Sequence, residues 1–552
     1  MNKNKPQNLS KFKFSKNLEI GSPDAETDNI LMKAFIENDA LKALLDMQNQ
    51  RSIIIGRTGS GKSALIKYIE NTQDKVTRIE PEAMSLRYLV NSTILSYFRT
   101  LGINLNFFYK VLWKHVFIVE LLKQYFGDNE PRKQNVIEQI AEKFREKFGK
   151  TNPKKEQAVK YLKNWSKDFW ANTEHRIKEL ESSVQEKFTN ETGFSIQELL
   201  KVGFKTEDEE KKRVLTEVKN KAEKIINESQ ADEIFEIINI MKSEFFVDNH
   251  RKHFIIIDDL DKEWIPSDLR YDMIGAMIEV IKEFQYFNGV KIVISLRDNL
   301  YQLIFSGFRH KGGQREKFKP LYVNMEWTVE DLKIFLEKRL EVVTDRNISV
   351  KAAFDNMYKG RVSGFEYMID RTFRRPRDVI SFVNAAIENA DNKTYFSLDI
   401  IKKAEIYYSK DRIQAIEDEW GENYGELSEV YKFLYGKYNG FRLKNIKEDE
   451  FASIYLSETP ERIFKGDLLT LVQKWKKDEI KFGAFIKELI YMLYFIGILG
   501  LKKSANYPVS FFYDKEVDIT VNDINNDCKI YVHKAFYSAL KINTKELEAD
   551  EY

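Results

Sequence analysis

Eight consecutive residues, Gly56-Arg57-Thr58-Gly59-Ser60-Gly61-Lys62-Ser63, restrict what can stand on either side of them. They satisfy the pattern G-x-x-x-x-G-K-[ST] in full. The preceding SIIIG (52–56) is a short β-branched run ending in glycine, which predicts a buried strand and its turn. The following KSALIKYIE (62–70) predicts a helix. Strand, glycine loop and helix in that order build an anion cradle. Glycines let the backbone approach phosphates closely, successive N–H groups form a nest, and the helix adds the positive end of its dipole. Lys62 is expected to reach the β- and γ-phosphates of a nucleotide, and the Ser63 hydroxyl to coordinate magnesium. The backbone and side chains of Gly56, Arg57, Thr58, Gly59, Ser60, Gly61 and Ala64 are expected to complete the cradle.

A second run, HFIIIDDLD (253–261), reads as a buried strand ending in acids. Beside a phosphate loop this predicts that Asp258 holds magnesium and that Asp259 polarises an attacking water; the plainer reading is a solvated acidic turn. Asp261 and Glu263 suit capping or surface pairing as well as they suit catalysis. The next strand, VKIVISLR (290–297), ends in Ser295 and Arg297, which suits a γ-phosphate sensor or a structural ion pair. Arg374-Arg375-Pro376-Arg377-Asp378 opens a helix. Proline is tolerated there, but arginines at the positive end of a helix need an anion. A nucleotide would serve, with Arg375 and Arg377 as its contacts; a surface basic cluster is the alternative. Arg309, His310 and Arg315 occupy a glycine-containing loop and offer an arginine finger.

Two further strands, VTRIEP (76–81) and LYVNMEW (321–327), alternate with helical stretches, so a parallel sheet covered on both faces is expected. The expected organisation is a lead over 1–18, an α/β core over 19–84 and 251–326, a helical insertion over 85–250, a helical lid over 327–415, and a mixed C-terminal region over 416–552. Within the last, residues 485–545 read as a helix, GILGLK, a turn at SANYP, VSFFYD and KIYVHKAFYSAL, a pattern suggesting a winged helix. The run LIYMLYFIGILGL (489–501) is shorter than the roughly 20 residues that span a bilayer, so it is expected to be a buried helix leading into a strand. The single cysteine, Cys528, excludes a disulfide framework and fits a reducing, cytoplasmic setting. Six scattered histidines give no metal pattern; His250 and His253 have helix-turn spacing but lead into a strand. With 88 Lys+Arg against 86 Asp+Glu, the net charge of +2 does not favour a dedicated nucleic-acid coat.

GRTGSGKSAL, HFIIIDDLD, VISLRDNLY, WTVEDLKIFLEKRL and FRRPRDVISFVNAA occur in an order that resembles the KAP and STAND side of the AAA+-like ATPases. More closely, GSPDAETDNILMKAF, FYKVLWKHVFIVELL and KIYVHKAFYSALKI are similar to segments of a group of bacterial P-loop ATPases known by a cyanobacterial prototype. The resemblance implies an ASCE-type ATPase core with a small helical lid, ATP and magnesium as ligands, Asp258 and Asp259 as the Walker B pair, and Arg377 as the lid arginine. Typical members carry glutamate where Asp259 stands, which makes hydrolysis less assured than binding. The resemblance also associates the chain with bacterial defence against phage.

The leading reading is an ATP-driven conformational switch or oligomerising ATPase, with the helical insertion and C-terminal region as surfaces for a protein partner or a second copy. A nucleic-acid-dependent motor, loader or sensor is the alternative, and a phosphotransferase the third. Membrane association is not expected.

Overall fold

The computed structural model describes residues 12–81, 105–126, 153–165, 231–248, 250–262, 264, 267–298, 300–301, 304, 315–354, 362–504, 506–514, 519–526 and 528–544. They form two compact units, one from residues 37–326 and the other from residues 1–36 together with 327–552.

The first unit is built on five parallel strands: β1 (Ile53–Gly56), β2 (Val76–Ile79), β3 (His253–Ile257), β4 (Val290–Arg297) and β5 (Tyr322–Asn324), in the order β2-β3-β4-β1-β5. These are the five strands expected from the β-branched runs. Their order places β4 between the strand that feeds the glycine loop and the strand that ends in acids. All residues of β3 are buried, and β4 is buried up to Leu296. Strands hidden on both faces read as continuous apolar runs rather than alternating ones.

Within this unit the helices are α1 (Asp39–Leu45), α2 (Lys62–Thr72), α3 (Asn106–Phe126), α4 (Pro153–Trp165), α5 (Ala231–Ile240) and α6 (Ser267–Phe284). One face of the sheet, carrying Ile53, Ile55, Ile255, Ile257, Ile292 and Ile294, shares a continuous core with Trp113 and Phe117 of α3, Leu162 of α4, Ile237 of α5 and Met277 of α6. The described helices of the 85–250 segment thus join the core of the sheet. The Trp113 indole donates to the Met273 carbonyl at 2.9 Å, fixing α3 on α6. The charged stretch 207–226 lies outside the described residues.

The second unit is mainly helical, with α7 (Val329–Val343), α8 (Pro376–Glu388), α9 (Leu398–Tyr424) and α10 (Phe482–Phe495) as its longer members. A capping box between Thr328 and Asp331 starts α7, because both first-turn N–H groups find side-chain acceptors. Residues 19–36, grouped by the sequence with the phosphate loop, cluster here instead. Phe14 is buried against Phe396, Ile20 N–H donates to Asn384 Oδ1 at 2.9 Å, and Arg339 binds Asp28 at 2.6 Å with both side chains nearly inaccessible. Gly21 adopts φ +109°, and a Cβ there would stand 2.2 Å from Arg339 Nη1, so both conformation and space require glycine.

A three-stranded antiparallel sheet, β6 (Gly440–Arg442), β8 (Lys529–Val532) and β7 (Leu499–Lys502) in that order, completes this unit. As expected, the 489–501 run is a buried helix followed by a strand. The partner of β7 differs from the expected one: VSFFYD makes a single bridge through Ser510, and β8 takes the ladder. The reason is local. Gly500 leaves a gap beside which the Phe511 ring packs, so this segment supplies a ring where a strand would supply backbone. Among the described residues no helix is long and apolar enough to cross a membrane.

Candidate functional site

The loop after β1 closes on itself around Lys62. Gly59 and Gly61 have φ of +77° and +96°, the left-handed region that favours glycine. A Cβ on Gly56 would meet Ser60 Oγ at 2.5 Å. Lys62, the first residue of α2, is buried and donates to the carbonyls of Gly56 at 2.8 Å and Arg57 at 3.1 Å. Burial, then the positive charge of Arg297, pushes its ammonium down to about 8. A cation held at such cost by two carbonyls suits a later exchange for phosphate oxygens.

Asp258 follows the last residue of β3 and is 5% exposed. Ser63, one residue into α2, donates to its Oδ2 at 3.0 Å. From β4, the hydroxyl of Ser295 donates to its Oδ1. The strand order makes this meeting possible, because Ser295 is on the strand adjacent to β3. Arg297, two residues on, binds Asp261 at 2.7 Å. Asp261 therefore serves as the ion-pair partner of Arg297, and Lys62, Ser63, Asp258 and Ser295 converge.

Asp259 takes φ +59°, an uncommon conformation for a residue with a side chain. Its Oδ2 lies 3.1 Å from Lys262 Nζ and 3.5 Å from Arg78 Nη2. Arg78 comes from β2 and also stands 3.9 Å from Asp258 and 3.8 Å from Glu70 of α2. Arg78 and Glu70 are not among the residues that the sequence singles out. No motif marks them, and only the pairing of β2 with β3 brings the arginine to the acids.

Arg375 and Arg377 have partners within the second unit. Arg375 is buried and donates to Asp378 Oδ2 at 2.8 Å, and Arg412 reaches Asp378 Oδ1 at 3.3 Å. The anion met by Arg375 is thus the carboxylate three residues on. Burial alone would raise Asp378, but the two guanidiniums reverse this and hold it below the usual carboxylate range. Arg377 donates to the Pro23 carbonyl at 3.2 Å, and burial lowers its affinity for the proton. Arg309, His310 and Glu263, and the side chain of Arg315, lie outside the described residues.

The donor set fits magnesium. The Ser63 hydroxyl and an Asp258 oxygen, 3.0 Å apart, are hard ligands beside a loop shaped for phosphate. Among the described residues no cluster of three His, Cys, Asp or Glu could hold a metal by itself. One carboxylate and one hydroxyl would leave an ion's other positions to water or substrate phosphates. His253, the first residue of β3, is buried edge-on to Phe246 and shares a hydrogen bond of 3.2 Å with Gln124.

Known proteins share parts of this chain. Residues 330–417 match the family model of the FunZ-associated C-terminal helical domain. The sequence is also similar to a transposon gamma-delta 80.3 kDa protein of Escherichia coli K12, at 21% identity over 97% of this chain and 69% of that one. Among solved structures, a Walker-type ATPase of Pyrococcus abyssi is similar at 12% identity and a TM-score of 0.33, covering 87% of this chain and 93% of that one. The α/β P-loop fold stands on this chain's own sheet order and loop geometry.

Proposed function

We propose that the chain binds ATP with magnesium at the Gly56–Ser63 loop, hydrolyses it, and uses nucleotide state as a conformational switch. The observation that carries the reading is the convergence of Lys62, Ser63 and Ser295 on one phosphate loop and one buried carboxylate, Asp258. Lys62 would exchange its two loop carbonyls for β- and γ-phosphate oxygens. Ser63 and Asp258 would hold magnesium, which when bound neutralises charge developing on the phosphates. Ser295 and Arg297, at the end of the strand between β1 and β3, are positioned to respond to the γ-phosphate. Asp259 would orient the attacking water, as a carboxylate already directed by two cations.

The position of β4 supports assignment to the ASCE group. The finer placement, near the KAP and STAND side of the AAA+-like ATPases with a role in defence against phage, rests on the sequence resemblance. So does Arg377 as the lid arginine; a cytoplasmic setting rests on the single cysteine, and self-association or a protein partner belongs to the same proposal.

The test is phosphate release from ATP by the full chain, with Lys62→Ala alongside and with DNA or RNA added. Release that disappears in the variant and is indifferent to nucleic acid supports the switch. Strong stimulation by nucleic acid replaces it with a nucleic-acid-dependent ATPase. Transfer to a small acceptor in place of release makes it a phosphotransferase. Equal release by both proteins removes the loop from the reaction.

A further inference from the structure

Arg78 is a guanidinium within reach of three carboxylates, two from the turn after β3 and one from α2. Asp259 is 3.5 Å away, Asp258 3.9 Å and Glu70 3.8 Å. Its contacts with the two aspartates use one nitrogen, Nη2, and the contact with Glu70 uses the other, Nη1. None has the short, parallel two-bond geometry that makes an arginine–carboxylate pair rigid. The side chain is 29% exposed and Glu70 is 25% exposed, so neither is sealed in the core. Asp258, by contrast, is buried and already takes two hydroxyl donors.

We infer that Arg78 is an internal counter-cation of the acidic pair, which leaves the aspartates for Glu70 when the metal–nucleotide complex enters. This rests on the nucleotide reading above and names a regulating residue within it. Two cations cannot share Asp258 Oδ2 without mutual repulsion, and a divalent ion is the stronger competitor at close range. Glu70, on the helix that begins with the phosphate-binding Lys62, is the acceptor within reach for the displaced guanidinium. Arg78 thereby sets how much magnesium the site needs.

The experiment titrates magnesium against binding of a fluorescent ATP analogue to the full chain, with Lys62→Ala as the control for the loop. In Arg78→Gln the magnesium concentration at half-maximal nucleotide affinity is expected to fall on the order of five- to tenfold, with metal-free nucleotide affinity changed less. Arg78→Lys, which restores the charge, should return this midpoint to within about twofold of the wild type. Glu70→Gln removes the second acceptor, so its midpoint should rise about threefold; this variant also keeps the inference testable if Arg78→Gln does not fold. A midpoint unmoved in Arg78→Gln, or one that falls in Glu70→Gln, overturns the role given to Arg78. If wild type and Lys62→Ala bind the analogue alike, the nucleotide reading fails and takes this inference with it. If only wild type binds and Arg78→Gln is unchanged, the inference fails alone.

Discussion

Asp258 in the sheet unit and Asp378 in the helical unit are both nearly inaccessible, at 5% and 1% exposure, yet their surroundings differ in kind. Asp378 accepts from Arg375, Arg412 and the Phe373 N–H, so its charge is matched by permanent cations inside the same unit. Arg339 and Asp28 repeat the pattern with the N-terminal segment. Asp258 is held by two hydroxyls, with the guanidinium of Arg78 only at 3.9 Å. A buried charge saturated by cations is architecture, because removing either partner strands the other. One held by hydroxyls has room for another cation. Burial alone does not separate the two cases; the chemistry of the donors does.

The largest effect that would test this contrast is on stability. Asp378→Asn should cost about 3–5 kcal/mol, since it leaves Arg375 and Arg412 buried without their anion. Asp258→Asn should cost about 1 kcal/mol or less, because the amide oxygen can still accept a hydroxyl. Urea unfolding of the two variants measures both, and equal costs would erase the distinction. Next in size, Lys62→Met should weaken ATP binding at least about 100-fold while leaving the fold as stable as wild type or about 1–2 kcal/mol more so, because the buried ammonium is disfavoured without phosphate. A marked loss of stability would show that Lys62 is structural, like the arginines of the helical unit.

Acid should affect the sheet unit through groups it keeps neutral. Burial pushes His253 down to about 4 and His115 down to about 3. In the unfolded chain each takes up a proton near 6.5, earlier than in the fold. The stability they contribute is therefore present above pH 6.5 and drains as pH falls toward 4, by about 1–3 kcal/mol per histidine. Denaturant unfolding at pH 7.5, 6 and 5 should show this slope flattened in His253→Gln; an unaltered slope would assign the acid sensitivity elsewhere. The smallest effect expected is in the helical unit, where Thr328→Ala removes the cap of α7 at about 1 kcal/mol, seen as a lowered unfolding midpoint with ATP affinity unchanged.

The site was legible where its residues are contiguous. Gly56 to Ser63 and Asp258 stand where an apolar strand ends, and Ser295 is the first polar residue to interrupt β4 near its end; such places are visible in the sequence because the β-branched run stops there. Arg78 was not legible, since VTRIEP shows only an arginine in a strand and nothing says which strand lies beside it. The helix-opening arginines were visible as a charge problem at 374–378, and the answer for Arg375 was three residues away in Asp378. Arg412, 34 residues further, could enter only through packing.

The chain by itself determined the five parallel strands, the glycine loop and the acids that follow β3, because these depend on local backbone freedom, β-branching and the spacing of neighbours. Tertiary structure decided that β4 stands between β1 and β3, that β8 rather than the Phe511 segment pairs with β7, and that residues 19–36 join the helical unit. Those choices depend on which surfaces fit when buried together. Strand order carries Ser295 and Arg78 to Asp258, and the packing of Gly21 lets Arg339 reach Asp28. Such fits are set by contacts between residues from 37 to 311 positions apart, for which local sequence has no periodicity to show.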